Sequence, residues 1–556
     1  MATAQLRSDR THEVFNQPEP LEDYNSFDAD RPLTEGLRRE GAEWAEGRAR
    51  ELGAICGSRQ TIRWGFEAND KTPKLRTHDR FGHRVDEVEF DDSWHELMRI
   101  GVDNGLHASP WRKPGPGAHV ARAAMFMLLM QAESGVGCPL SMTYSAIPAL
   151  RKQPDLAAEW EPRFLSLDYD ERSMPAERKS GALCGMAMTE KQGGSDVRAN
   201  TTTASPLNGG GPGAEYEIVG HKWFCSAPMC DAFLVLAQTD AGISCFLMPR
   251  WTPDGERNAF HIQRLKDKLG NRSNASSEVE FRGAWARMIS EEGRGVPTII
   301  EMVNHTRLDC VIGAATGYRA GVAQALHHSS HRSAFGADLI DQPLMRNVLA
   351  DLCVESEAAT VSALRLARAY DGVAAGDESE AEFRRLANAV LKYWICKRAP
   401  SHAVECLECL GGNGYVEESG MPRLFRESPL GSIWEGSGNV QCLDVLRAMV
   451  KSPSSVEAFF AEVLEAAGAE PRLDSYVAQL RAEIPGDVET VQQRARRIVE
   501  RMAIALQASL LVRYGDPAVA DAFAASRLSG DWGHAFGTLP SGADFAGIIE
   551  RHQPVA

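Results

Sequence analysis

Met186-Ala-Met-Thr-Glu-Lys-Gln-Gly-Gly-Ser-Asp196 marks the point where the texture of the chain changes. Before it, from about residue 41 to 165, apolar residues recur at helical spacing. Residues 121–131 (ARAAMFMLLMQ) are apolar enough for a buried helix. After it come short β-rich runs at 216–219, 233–237, 243–248 and 277–281. Turn punctuation such as Asn208-Gly-Gly-Gly-Pro-Gly213 separates them. A compact β domain of about 110 residues therefore lies between two helical regions.

Beyond residue 296 helical periodicity returns over 308–325, 344–369, 382–398 and 401–410, and residues 411–438 read as loop. Long helices on short connectors predict an antiparallel bundle. Two further helices, 455–467 and 473–514, follow before a Gly-rich end. Residues 1–40 are polar and Pro-punctuated, the pattern of an extended arm. The expected order is thus arm (1–40), N-terminal helical domain (41–180), β domain (181–292), helical bundle (293–450) and helical extension (451–556). The class is α+β, mainly helical. No βαβ alternation accompanies Gly411-Gly412-Asn413-Gly414, which follows a helix, so a dinucleotide fold of the Rossmann type is not indicated.

The 556 residues are 43% hydrophobic and 24% charged, an ordinary globular composition. No window is long and apolar enough for a transmembrane helix, and residues 1–10 lack the apolar stretch of a signal peptide, so a cytoplasmic address and no membrane partner are expected. The net charge of −16 opposes nucleic-acid binding except on a segregated basic surface. The twelve cysteines are scattered, and the one CxxC, Cys406 to Cys409, sits in a helical pattern without a second pair. No metal is expected.

Five segments carry chemistry. In the first, hydroxyls and glycines suit close backbone approach to a flat polar ligand, with Thr189 and Ser195 as donors; alone it reads equally as a glycine turn. In Gly220-His-Lys-Trp-Phe-Cys-Ser-Ala227 an aromatic and a hydroxyl on one strand could stack on and bond to a ring system, although a strand Trp is more often core. The others are Arg332-Ser-Ala-Phe-Gly336 with Gln342, Gly411 to Tyr415, and Ile433-Trp-Glu-Gly-Ser-Gly-Asn439 running on to Arg447.

In this order and at these distances the segments resemble the acyl-CoA dehydrogenase superfamily. Thr11-His-Glu-Val-Phe-Asn-Gln-Pro18, Glu190-Lys-Gln-Gly-Gly-Ser-Asp-Val197, His221-Lys-Trp-Phe224 and the tail of about 100 residues are similar to its AidB branch. The resemblance implies an N-terminal helical domain, a central β-barrel, a C-terminal four-helix bundle and a homotetramer binding FAD. It also implies a flavoprotein of the adaptive response to DNA alkylation, which binds double-stranded DNA and keeps weak isovaleryl-CoA-type dehydrogenase activity. A metabolic short- or branched-chain acyl-CoA dehydrogenase with a structural tail is the alternative.

On that resemblance Glu435 is the catalytic base, and burial should raise its pKa to suit a very weak carbon acid. Thr306 stands where some members carry the base. Met186, Thr189, Gly194 and Ser195 line the flavin and Trp223 covers one face. Phe224 and Ser226 adjoin it, with the hydroxyl for flavin N5 coming from Ser226. Ile433, Trp434, Gly436, Ser437, Asn439 and Leu443 close over the cofactor, while Arg332 and Phe335 serve the FAD of a neighbouring subunit. Glu408 replaces a glutamine common among relatives.

For DNA, the tail offers no basic excess, with ten Lys/Arg against fourteen Asp/Glu. It does hold Arg494, Arg497 and Arg501 on one helical face. That stripe and Arg447 are the candidate phosphate contacts; a salt-bridged surface, or an Arg447–Asp444 pair, would look the same in sequence.

Overall fold

The computed structural model describes residues 11–484 and 488–554. Seven strands form the middle of the chain: β1 (Cys184–Ala187), β2 (Thr203–Pro206), β3 (Glu215–Ser226), β4 (Ala232–Thr239), β5 (Gly242–Pro249), β6 (Phe260–Leu265) and β7 (Ser276–Ile289). Antiparallel β4–β5, β5–β7, β7–β3 and β3–β2 ladders are closed by a parallel contact, Thr203 opposite Gln238, between β2 and β4. The sheet thus returns on itself as a barrel. β1 adds to β4, and β6 to β7. Each expected β run lies inside a longer strand; β2 and β6, which lack a distinct apolar run, and the short β1 come in addition. One polar pair occupies the barrel interior: Lys222 Nζ meets Glu190 Oε1 at 2.8 Å with both side chains 0% exposed. Glu190 also accepts from the Thr201 and Thr202 amides, so its charge is satisfied on several sides.

Before the barrel, α1 (Ala118–Ala132) and α2 (Gly137–Leu150) are buried almost throughout. After it come the bundle helices α3 (Gly295–His331), α4 (Pro343–Ala374), α5 (Glu378–Cys409) and α6 (Gly438–Lys451). Helix α5 runs unbroken through Pro400, where the sequence reading had placed a gap; its flanks Ala399 and Ala403 are buried, and packing there outweighs one lost amide donor. The expected 473–514 helix is instead two, α8 (Pro471–Glu483) and α9 (Val488–Tyr514); the sequence between them contains a proline and a glycine, the two poorest helix formers. With α7 (Pro453–Leu464) these pack on the bundle, burying Ile498, Val499, Met502 and Leu506 of α9.

Three more expectations change. The N-terminal segment is no free arm from residue 21 on: Leu21, Phe27, Leu33 and Leu37 are core, and Arg31–Arg39 is a helix whose N-cap Asp30 accepts from the Leu33 amide. A hairpin, Lys74–His78 with Arg84–Glu89, interrupts the N-terminal helices. The 411–438 loop contains a short helix, Met421–Glu427.

Candidate functional site

A cavity of about 2100 Å³ opens where α1, α2, the barrel, α3 and the 428–437 turn meet. That is at least twice the volume of an ordinary small-ligand pocket, room for a dinucleotide and a second ligand side by side. Of the residues singled out from sequence, Met186, Thr189, Gly194, Ser195, Phe224, Ser226, Ile433, Trp434, Glu435, Gly436, Ser437, Leu443 and Arg447 all line it. They lie up to some 260 positions apart in the chain.

Four of the sequence-derived cofactor residues lie outside the cavity wall. A β-bulge between Lys222 and Cys225 turns Phe224 and Ser226 to the cavity and leaves Trp223 beyond it, its ring centre 3.6 Å from Lys266 Nζ. Asn439 faces the tail: its Oδ1 accepts from Arg496 Nε at 2.8 Å. Arg332 donates to the Asn16 carbonyl at 2.6 Å, and Phe335 stands 100% exposed at the tip of a two-residue hairpin, with φ at +54°.

Glu435 sits at the centre. Its Oε2 accepts from the Thr306 hydroxyl at 2.7 Å. Removal from water raises its pKa, opposed by the Thr306 bond and the charges of Lys392 and Arg307. Its φ of +57° is a left-handed conformation that costs a non-glycine residue roughly 1–3 kcal/mol, and it survives because its surroundings fix it. The Glu435 carbonyl accepts from Arg307 Nε (3.0 Å) and Gln441 Nε2 (3.1 Å). Lys392 Nζ donates to the carbonyls of Trp434 (2.8 Å) and Gly436.

Sequence reasoning noted Thr306 only as a missing acid and passed over Lys392. The signal for Lys392 was available: Ala389, Lys392, Cys396, Ala399 and Ala403 follow core spacing on α5, and all are buried.

The donors suit a flat dinucleotide. A Cβ on Gly194 would come within 2.4 Å of Thr189 Oγ1, so only glycine keeps that wall open. The hydroxyls of Thr189, Ser195 and Ser226 line the same cavity, and Trp434 Nε1, buried in the wall, has no hydrogen-bond partner among the described residues. Met186 and Phe224 supply apolar surface for a ring system.

At the rim, Asp444 is shared. Arg307 Nη1 lies at 2.9 Å and Arg385 Nη2 at 3.0 Å, with Arg447 Nη1 farther off at 3.7 Å and its side chain 61% exposed. In the tail, Arg497 Nε and Arg501 Nη1 both bind the Glu483 carboxylate, at 2.6 and 2.5 Å, and Arg494 donates to the Glu483 carbonyl. Arg497 and Arg501 are thus drawn onto one acid, although the Arg497 side chain remains 70% exposed. The Cys406 and Cys409 thiols are buried, Cys409 being pushed up to about 12. Among the described residues no group of His, Cys, Asp and Glu is arranged to hold a metal, and no helix is long and apolar enough to cross a membrane.

Residues 16–171 match the adaptive response protein AidB N-terminal domain, 185–284 the acyl-CoA dehydrogenase middle domain and 293–450 the acyl-CoA dehydrogenase C-terminal domain. The chain is 43% identical over 516 residues to the putative acyl-CoA dehydrogenase AidB of Escherichia coli, covering 92% of this chain and 94% of that one. Among solved structures it is similar to Caenorhabditis elegans ACDH-11 in complex with C11-CoA (TM-score 0.84, 27% identity, 100% of this chain and 95% of that one). It is also similar to the apo-form of Bd2924 (TM-score 0.82, 29% identity, 90% and 99%). Fold, site and sequence together make this chain a member of the acyl-CoA dehydrogenase family, of the AidB type.

Proposed function

We propose that the protein is a flavoprotein holding FAD in the cavity, in which Glu435 removes the α-proton of an acyl-CoA thioester. The observation that carries this reading is a carboxylate, raised in pKa and aimed by a hydrogen bond from Thr306, facing a cavity large enough for both ligands. FAD, when bound, supplies the hydride acceptor. Thr189, Ser195 and Ser226 would hold it by hydroxyl donors, Met186 and Phe224 by apolar contact, and Ile433, Trp434, Gly436, Ser437 and Leu443 would close over it.

An α-C–H is so weak an acid that its base must be both basic and aimed. Burial makes Glu435 more basic than a solvated carboxylate, and Thr306 fixes the direction of one oxygen. The exposed Phe335 beside Arg332 suits contact with a second subunit, consistent with a homotetramer.

The proposal extends to non-specific binding of duplex DNA in an alkylation response. Two exposed guanidinium groups, Arg447 at the cavity rim and Arg497 on the tail, support it. The metabolic alternative is favoured by the intact surroundings of Glu435, so two measurements are needed on the pure protein. Isovaleryl-CoA should bleach the yellow chromophore, and Glu435→Gln should stop the bleaching with FAD still bound; bleaching that persists refutes the base. Gel shifts with duplex DNA over a salt series should show binding that falls steeply with salt. Fast turnover without any shift selects the metabolic enzyme, and a colourless protein that takes up no FAD removes the whole reading.

A further inference from the structure

We propose that Lys392 is a positioning residue: by holding the carbonyls on either side of Glu435, it turns the Glu435 N–H toward the cavity, where it can receive the carbonyl oxygen of a thioester. The inference rests on the acyl-CoA reading above, in which the family likeness already implies that the Glu435 N–H receives the thioester carbonyl; what is new is the part of Lys392.

A trans peptide holds C=O and N–H in one plane, pointing in opposite directions. Lys392 Nζ binds the Trp434 carbonyl at 2.8 Å, so the N–H of the same peptide, that of Glu435, points away from Lys392. The Glu435 carbonyl is held by Arg307 Nε and Gln441 Nε2, and the Gly436 carbonyl again by Lys392. Three successive carbonyls are thereby tied to α3, α5 and α6. Lys392 and Gln441 lie outside the cavity lining, whereas Glu435, Gly436 and Ser437 form part of it. Away from Lys392 therefore means toward the cavity. Among the described residues the Glu435 N–H makes no hydrogen bond.

Lys392 is an unusual choice for a mere filler. It is 1% exposed, and among the described residues no carboxylate lies within ion-pair distance of it. A buried ammonium satisfied only by carbonyls is costly, and an apolar side chain of similar length would fill the space at lower cost. What an apolar side chain cannot do is hold two carbonyls at once around a residue in the left-handed conformation. The groups facing Glu435 are Thr306 and Arg307 from α3, Lys392 from α5, and the thiols Cys138 and Cys310, which burial keeps neutral. Lys392 and Arg307 are the cations on that side, and only Lys392 binds both flanking carbonyls.

The test uses the FAD-loaded protein and two ligands that cannot be dehydrogenated at the α-carbon. One is the unsaturated thioester 3-methylcrotonyl-CoA; the other is its thioether, with a methylene in place of the carbonyl. The two differ only in the group the N–H would bind. Wild type should bind the thioester at least tenfold more tightly, and Lys392→Met should cut that ratio below threefold with thioether affinity unchanged. In parallel, hydrogen exchange should rise about tenfold in the peptide spanning 433–437 and stay unchanged in the other bundle helices. Where Lys392→Met does not fold, Lys392→Gln, which keeps one donor group, should give an intermediate ratio. A variant that keeps the wild-type ratio and the wild-type exchange overturns the role of Lys392 alone. A wild type that binds both ligands equally overturns the thioester reading, and this inference with it.

Discussion

Replacing Thr306 by valine removes one hydroxyl at nearly constant volume and isolates what that hydroxyl does for Glu435. In the structure Thr306 Oγ1 lies 2.7 Å from Glu435 Oε2 and 3.1 Å from the Val303 carbonyl. Its single proton is best used on the nearer, charged acceptor, and the Val303 carbonyl keeps its helical partner. A hydrogen bond to a charged group is worth about 1.5–3 kcal/mol, and about 1.4 kcal/mol is one pKa unit. Glu435 borders a cavity that water can enter, so the lower end applies and the carboxylate pKa should rise by about one unit. The sign follows from the state the bond favours: it stabilises the ionised base, and its loss raises the pKa further. Rapid-mixing measurement of flavin reduction from pH 5 to 9 should show the acid limb displaced upward by about one unit. The rate on that limb should fall about tenfold, while the alkaline plateau is unchanged or slightly higher, because a more basic carboxylate takes a proton more readily. Thr306→Ser should restore the wild-type limb. An acid limb that stays in place, or a uniform loss at every pH, would refute the assigned role.

Other parts of the molecule give equally direct expectations. Lys222→Met leaves Glu190 charged and unpaired inside the barrel and should cost about 3–5 kcal/mol in urea unfolding, most of it recovered by adding Glu190→Gln; a neutral single variant would show that the pair is not energetically coupled. Gly194→Ala forces a methyl group to within 2.4 Å of Thr189 Oγ1, so the 450 nm absorbance per protein should fall by at least about half relative to wild type. Full flavin content would place the cofactor elsewhere. Glu483→Gln frees Arg497 and Arg501 from their shared acid and should tighten duplex binding, steepening the slope of log K against log salt by about one to two. An unaltered slope would remove that face of the tail from any DNA contact.

The order of helical, β and helical regions was legible because burial imposes its own period on the sequence. Strands β3, β4, β5 and β7 alternate or run apolar. β2 reads Thr-Ala-Ser-Pro, and only its pairing with β3 and β4 makes it a strand. Pro400 misled in the other direction, since a proline reads as a break unless the packing around the helix is known. Residues 21–40 read as part of an extended arm because their few apolar residues, spaced among acids and prolines, reach the core one at a time.

The site divided along a different line. Residues that would touch a ligand stood out, because hydroxyls, glycines and an isolated acid cluster there for chemical reasons. Residues that hold those groups in place did not, because a threonine or lysine in a helix reads as ordinary until its partner arrives from more than forty or a hundred positions away. Asp444 shows the difference most clearly. In sequence it stands three residues before Arg447, and a simple intrahelical pair would have neutralised both. In the structure Arg307 at 2.9 Å and Arg385 at 3.0 Å hold that carboxylate, while Arg447 is left at 3.7 Å and largely in solvent. One acid satisfied by two close cations has little attraction left for a third, exposed one. The same contact therefore ties α6 to the helix that carries Thr306 and leaves a cation at the cavity rim, where the anionic end of a coenzyme or a phosphate backbone would first arrive.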